Sequence, residues 1–157
     1  MGASSASGEG APPLPLGGMH LLASRYTLTE TTPLSVDEAV ERVRTELARE
    51  GFGVLCDIDV QATLKEKLGI ESAPYRILGA CNAPLAHQAL VAEPELGVLL
   101  PCNVVVFEDD GQTRIAAIDP ERMLSIVEND DLGPIAEDVR ARLAAVVARC
   151  AVHRTLD

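Results

Sequence analysis

The chain has 157 residues, of which 47% are hydrophobic, and its formal net charge is −11. This length and hydrophobic content fit one globular domain with a short extension, and they exclude a globally disordered chain. Aromatic residues make up only 3% of the chain and tryptophan is absent. We predict no nucleic-acid partner, because a negative field repels phosphate backbones and few rings are available for base stacking.

The first sixteen residues contain no Lys or Arg and no long apolar run, which is unlike a secretory signal. No stretch reaches the roughly 18 to 20 apolar residues of a membrane span. We therefore predict a cytoplasmic protein with no membrane partner. Cysteines stand at positions 56, 81, 102 and 150, none of them in a CxxC pair, and in the cytoplasm they are expected to be free thiols.

The first predicted boundary separates a tail from the folded domain. Residues 1–18 are rich in Gly, Ala, Ser and Pro, a composition that predicts a disordered tail because it buries little apolar surface. A single domain is then expected over residues 19–157, and its first strand is expected within residues 19–31.

The next two elements carry clear local signals. Ser35 followed by Glu38 predicts a capping box that opens a helix, and Gly51 predicts its end. Residues 52–60 alternate in polarity and predict a strand that places Cys56 on the buried face.

The remaining elements alternate between helix and strand until a hairpin. They are a helix over 61–68, a strand over 75–81, a helix over 83–93, a strand over 99–107, its hairpin partner over 112–118, a short helix over 120–127 and a long helix after 131. The turn sequence Asp109-Asp110-Gly111 forces antiparallel pairing, and no Gly-rich phosphate loop is present. The predicted fold class is therefore α+β: a two-layer sandwich with a mostly antiparallel sheet and helices packed on one face.

Two Cys-Asn pairs are the most informative residues for function. Cys81 is predicted to end a strand, with Asn82 as the cap of the next helix, where backbone N–H groups and the helix dipole favour a thiolate. Cys102 follows Pro101 and is followed by Asn103 at the start of a buried strand. The two pairs could meet across neighbouring strands as a polar pocket, or each cysteine could pack as a small apolar residue.

Other chemistry-bearing residues give weaker signals. His87, in the helix after Asn82, could join Cys81 as a base or as a metal ligand, and Cys81, Cys102 and His87 form a candidate soft-metal set. Cys56 and Cys150 are interpreted as core residues. Asp57 and Asp59 are interpreted as a solvated strand end rather than a cation site.

Several separated stretches resemble the family of the domain of unknown function 302. They are Gly51-Phe-Gly-Val-Leu, Asp57-Ile-Asp-Val, Ile77-Leu-Gly-Ala-Cys-Asn82 with Ala86-His87, and Leu99-Leu-Pro-Cys-Asn-Val-Val-Val106, and the resemblance covers residues 25–150. One departure is visible, since the family often has proline directly after the first Cys-Asn, whereas here Ala83 precedes Pro84. The resemblance implies a self-associating α+β sandwich without an agreed enzymatic activity, and it points to Cys81, Asn82, His87, Pro101, Cys102 and Asn103.

Three functional hypotheses follow. The first is a binding or accessory domain, a homodimer rather than an enzyme, with a small-molecule or soft-metal pocket near Cys81, His87 and Cys102. The second is a redox or sulfur-handling protein that uses Cys81 as its thiol. The third is a purely structural dimeric interaction module. The sequence specifies no cofactor.

Overall fold

The computed structural model describes residues 24–151, so the predicted tail over residues 1–18 lies outside the described residues. The strands are β1 (Thr27–Thr32), β2 (Gly53–Asp59), β3 (Tyr75–Cys81), β4 (Cys102–Asp109) and β5 (Gln112–Ile118). The helices are α1 (Val36–Arg49), α2 (Val60–Leu68), α3 (Ala83–Ala92), α4 (Pro120–Leu124) and α5 (Gly133–Ala151). Short 3-10 turns cover Pro94–Leu99, Ser125–Val127 and Asp130–Leu132.

The five strands form one sheet in the order β1-β5-β4-β3-β2, and every neighbouring pair is antiparallel. Helices α1 and α5 pack against each other and against the sheet, and their apolar stripes bury the main core. The predicted α+β two-layer sandwich is confirmed. Within residues 24–151, no helix combines the length and the apolar character needed to cross a bilayer.

The predicted helix starts are confirmed by side-chain caps. The Ser35 hydroxyl accepts a hydrogen bond from the Glu38 N–H (3.2 Å), and Asp119 caps α4 through the Glu121 N–H (3.0 Å). Sequence analysis missed a further cap: the carboxylate of Asp59 accepts from the Ala62 N–H (2.9 Å) and opens α2. Each cap satisfies a backbone donor that would otherwise lack a partner in the first helical turn.

The placement of Cys56 in the core is wrong, because β2 contains a β-bulge. Val54 pairs with Ala80 but Cys56 pairs with Gly79, so Leu55 is an extra residue on β2. Because a bulge adds one residue to a strand, each side chain beyond it points to the opposite face from the one that regular alternation predicts. Cys56 is consequently exposed, while Asp57 turns toward the helices.

Asp57 ties three elements together instead of lying at a solvated strand end. Its carboxylate accepts hydrogen bonds from Arg44 of α1 (2.7 Å) and from Nε of Arg76 in β3 (2.8 Å). Only 20% of its side chain is exposed. The Arg76 hydrogen bond, with a smaller contribution from Arg44, holds the pKa of Asp57 below its ordinary value of 3.8.

We predict that Asp57→Asn lowers the free energy of unfolding at neutral pH by about 1–3 kcal/mol, since charge-assisted hydrogen bonds are lost. The folded-state pKa is depressed, so the stabilisation is present above the unfolded pKa and is lost as pH falls through the folded value. Urea unfolding followed by circular dichroism at several pH values should therefore show a difference that shrinks below pH about 4.

The matched control for this prediction is Asp59→Asn. It removes a charge from the same strand, but asparagine caps helices as well as aspartate does, so little stability should be lost. An Asp57→Asn penalty that is unchanged in acid would contradict the assignment of this stabilisation to the ionised carboxylate.

Candidate functional site: an apolar cavity at the end of the sheet

A cavity of about 280 Å3 lies where β3 passes into α3, beneath the Pro94–Leu99 turn and beside α4 and α5. Its wall contains four of the predicted site residues, which are Cys81, Asn82, Pro101 and Cys102. The rest of the wall is apolar: Phe52, Leu55, Ala80, Leu85, Ala86, Ala89, Leu96, Leu100, Pro120, Met123, Leu124, Ile135 and Val139.

The cavity occupies the seam between two hydrophobic clusters. Phe52, Ala80 and Val139 belong to the main core between the sheet and the long helices. A second cluster, formed by Ala89, Leu96, Leu124, Leu132 and Ala136, joins α3 and the Pro94–Leu99 turn to α4 and α5. Because the two clusters meet without filling the space between them, the hollow is lined by apolar side chains from both.

Asn82 confirms its predicted role as the cap of α3 and also anchors that helix. Its Oδ1 accepts from the Leu85 N–H (3.3 Å), and its Nδ2 donates to the Glu50 carbonyl at the end of α1 (3.5 Å). The same carbonyl accepts from Arg142 of α5 (2.9 Å). Asn82 is therefore buried with both ends of its amide engaged, and α1, α3 and α5 converge beside the cavity.

The two cysteines of the wall lie on neighbouring strands. Ala80 pairs with Cys102, so Cys81 is one residue beyond the position opposite Cys102. Cys81 is half-buried, whereas Cys102 is only 8% exposed. Burial raises the pKa of Cys102 from its ordinary value of 9.0 to about 11, and the nearby Cys81 adds to the effect. Cys102 is therefore a protonated thiol at neutral pH.

Pro101 is held against β3 at a position where only glycine fits. A Cβ added at Gly79 would lie 2.6 Å from Cys56 Sγ and 2.8 Å from Pro101 Cγ. Real Cβ atoms essentially never come so close, so the sulfur of one strand and the proline ring preceding β4 both use the space left by the missing side chain. Sequence analysis offered no signal for this contact.

His87 and Asn103 lie away from the cavity wall. His87 is exposed on α3 and Asn103 is exposed on β4, and neither lines the cavity. Asn103 pairs with Gly79 and points to the opposite face from Cys102, because successive side chains of a strand alternate. The two asparagines of the Cys-Asn pairs therefore do not meet.

The candidate metal set of Cys81, Cys102 and His87 does not come together. Among the residues that the structure describes, no group of three or more His, Cys, Asp or Glu side chains is placed to hold a metal ion. The physical reason is the phase of α3, which turns His87 to solvent while Cys102 is buried in the main core.

The far end of α3 is held by a residue that sequence analysis missed. The amide of Asn129 donates to the Ala92 carbonyl and to the Glu93 carboxylate, both at 3.3 Å. Its Oδ1 accepts from the Asp131 N–H (3.0 Å), so the turn before α5 is joined to the helix over the cavity. The Asn129 amide makes these hydrogen bonds across 36 and 37 residues of sequence, so no local pattern reveals them.

Cys150 confirms its predicted place in the core. It is 1% exposed on the buried stripe of α5. Burial, together with the negative charge of Glu46, raises the pKa of Cys150 to about 11. It does not line the cavity and remains a packing residue.

Comparison with known proteins identifies the family. Domain of unknown function DUF302 matches residues 28–150. The chain belongs to the DUF302 family. An uncharacterised conserved DUF302 protein from Bacillus stearothermophilus has a crystal structure similar to this chain, with 34% identity and a TM-score of 0.77. The alignment covers 81% of this chain and 99% of that one. No curated protein matches the chain.

The contact at Gly79 yields a prediction about the wall. Gly79→Ala should lower the free energy of unfolding by about 1–3 kcal/mol, because the new methyl group overlaps Cys56 Sγ and the Pro101 ring. Gly53→Ala is the control, since a Cβ at that position of the neighbouring strand meets nothing within 4 Å.

Chemical unfolding of both variants checks the idea. Cys56→Ala should recover part of the Gly79→Ala penalty because it removes one of the two overlapping atoms. Equal stability of the Gly79→Ala and Gly53→Ala variants would show that β3 does not need glycine at this position.

Proposed function

We propose that this DUF302 domain is a binding or accessory domain that holds a small apolar molecule in the cavity beside Cys81 and Cys102. The observation that carries the proposal is the composition of the wall. Seventeen of the described residues line it, and Asn82, whose amide is hydrogen-bonded at both ends, is the one among them with an amide or charged side chain. Apolar surface buried against such a wall supplies the binding free energy.

The volume sets the size of the occupant. An engineered protein cavity of about 150 Å3 takes up benzene, and ordinary ligand pockets begin near 300 Å3. A cavity of about 280 Å3 fits a ligand somewhat larger than a single benzene ring. His87 has no contact role in this proposal, because it lies on the outer surface of α3.

We expect toluene and indole to bind to the full chain, and imidazole, which is small but polar, not to bind. Ala86→Leu adds carbon atoms to the wall and should weaken toluene binding at least about tenfold, equivalent to about 1.4 kcal/mol. Ligand-observed NMR with titration measures both affinities.

Gln88→Leu is the matched control, because it places the same side chain on the exposed side of the same helix. Its affinity for toluene should equal that of the unmodified chain. Equal weakening in the two variants, or no toluene binding in the unmodified chain, would contradict the proposal.

The predicted compartment and partner remain proposals. All four cysteines are free thiols, the state that the reducing cytoplasm maintains, and this supports a cytoplasmic location. For self-association, β2 is the better of the two sheet edges. It presents Leu55 (68% exposed) and Ile58 (46% exposed), whereas β1 is largely threonine. An unpaired edge offers its backbone groups to a second copy of the same strand.

If the homodimer forms through β2, Ile58→Lys should convert it to a monomer, because a charge would have to be buried at the joined edge. Thr29→Lys on the opposite edge is the control and should leave the dimer intact. Light scattering coupled to size exclusion measures the mass of each. A monomeric unmodified chain at all concentrations would remove the homodimer from the proposal.

A further inference from the structure

Sulfur is the reactive element of the cavity wall. The Oδ1 of Asn82 accepts from Leu85 and its Nδ2 donates to Glu50, and the residue is only 9% exposed, so its amide offers little to a ligand. Apart from Asn82, the side chains of the wall are hydrocarbon, the thioether of Met123 and the thiols of Cys81 and Cys102. The thiols are therefore the most nucleophilic side chains of the wall.

The two thiols are not equivalent. Cys102 is 8% exposed, and its pKa of about 11 keeps it protonated near neutrality. Thiolate, not thiol, is the nucleophile, so Cys102 is a poor one. Cys81 lies on the same wall but is only half-buried, so it is the more accessible of the two thiols. The geometry therefore selects Cys81.

The wall also restricts the class of reaction. Among residues 24–151, those that line it include no histidine, carboxylate or amine, and His87 is exposed on the outer surface of α3. Reactions that expel a poor leaving group need a positioned acid or base. Addition of a thiolate to an activated carbon–carbon double bond has no leaving group and does not need one.

We propose that the cavity captures apolar electrophiles that carry a carbon–carbon double bond conjugated to a carbonyl group, and that Cys81 adds to them. This inference rests on the proposed function, because the apolar part of the ligand must first enter the cavity. Cys81 loses its proton to water and its sulfur bonds to the β-carbon, while the π electrons move toward the carbonyl. Water then protonates the α-carbon, so S–H is added across the double bond with no change of oxidation state overall.

N-phenylmaleimide and N-(2-hydroxyethyl)maleimide test the inference, since they share one reactive ring and differ in the polarity of the substituent. The full chain is treated with each, and peptide mass spectrometry follows labelling of Cys81 and Cys56. Cys56 is the internal control, because it is exposed and does not line the cavity. The ratio of the Cys81 rate to the Cys56 rate should be at least about tenfold larger for the phenyl reagent.

N-phenylsuccinimide, which lacks the double bond, should slow the labelling of Cys81 and leave that of Cys56 unchanged. Cys81→Ser should still bind N-phenylsuccinimide by ligand-observed NMR but form no cavity adduct with N-phenylmaleimide. Faster labelling of Cys102 than of Cys81, or equal rate ratios for the two maleimides, would overturn the assignment of capture to Cys81.

The outcomes separate this inference from the proposal on which it rests. If N-phenylsuccinimide binds and is displaced by toluene, while Cys81 shows no preference for the phenyl reagent, covalent capture fails and apolar binding stands. If neither N-phenylsuccinimide nor toluene binds, the cavity is not a ligand site and both proposals fail.

Discussion

The hydrogen bonds of Asn82 determine what kind of cavity this fold contains. One end of the amide caps α3 and the other reaches the Glu50 carbonyl at the end of α1, where Arg142 also donates. This arrangement fixes where α3 leaves the sheet and so holds one wall of the hollow in place. It also engages both ends of the one side-chain amide among the described residues of that wall, and because Asn82 is only 9% exposed, this amide offers little polar surface to a ligand. The residue that begins α3 therefore adds little polarity to a wall that is otherwise apolar apart from its two thiols.

The burial of Cys102 bears on the choice between a metal ion and an organic ligand. A metal requires deprotonated ligands, and a rise in the pKa of Cys102 from 9.0 to about 11 adds about 3 kcal/mol to the cost of its thiolate. The third candidate ligand, His87, is on the outer surface. An apolar ligand, in contrast, can contact Cys102 as a protonated thiol. The burial of Cys102 therefore disfavours metal binding and favours an apolar organic ligand.

Much of the fold could be predicted because its signals are local. Ser35, Asn82 and Asp119 cap the helices that follow them, and the Asp110-Gly111 turn joins β4 to β5, as their sequences indicate. The prediction for Cys56 is wrong because the sequence pattern of β2 does not reveal the bulge at Leu55. Up to that extra residue, a strand with a bulge and a regular strand show the same alternation. The cap at Asp59 was not predicted because the alternation of the strand already places a polar residue at this position. A solvated strand end therefore explained Asp59 without a capping role.

The cavity itself depends on contacts that local patterns do not encode. Helix α3 carries apolar residues on nearly every side, so periodicity could not show which face packs, and His87 could be placed on the helix but not on a face. Gly79 and Pro101 touch across a distance of many residues in sequence, as do Asn129 and the end of α3. The sequence left open whether the two Cys-Asn pairs meet, and the structure places their cysteines on neighbouring strands. Their asparagines nevertheless separate, because Asn82 turns inward as a cap while Asn103 follows the alternation of β4 to the other face. The two identical dipeptides therefore contribute Cys81, Asn82 and Cys102 to a common wall, whereas Asn103 lies on the other face of the sheet.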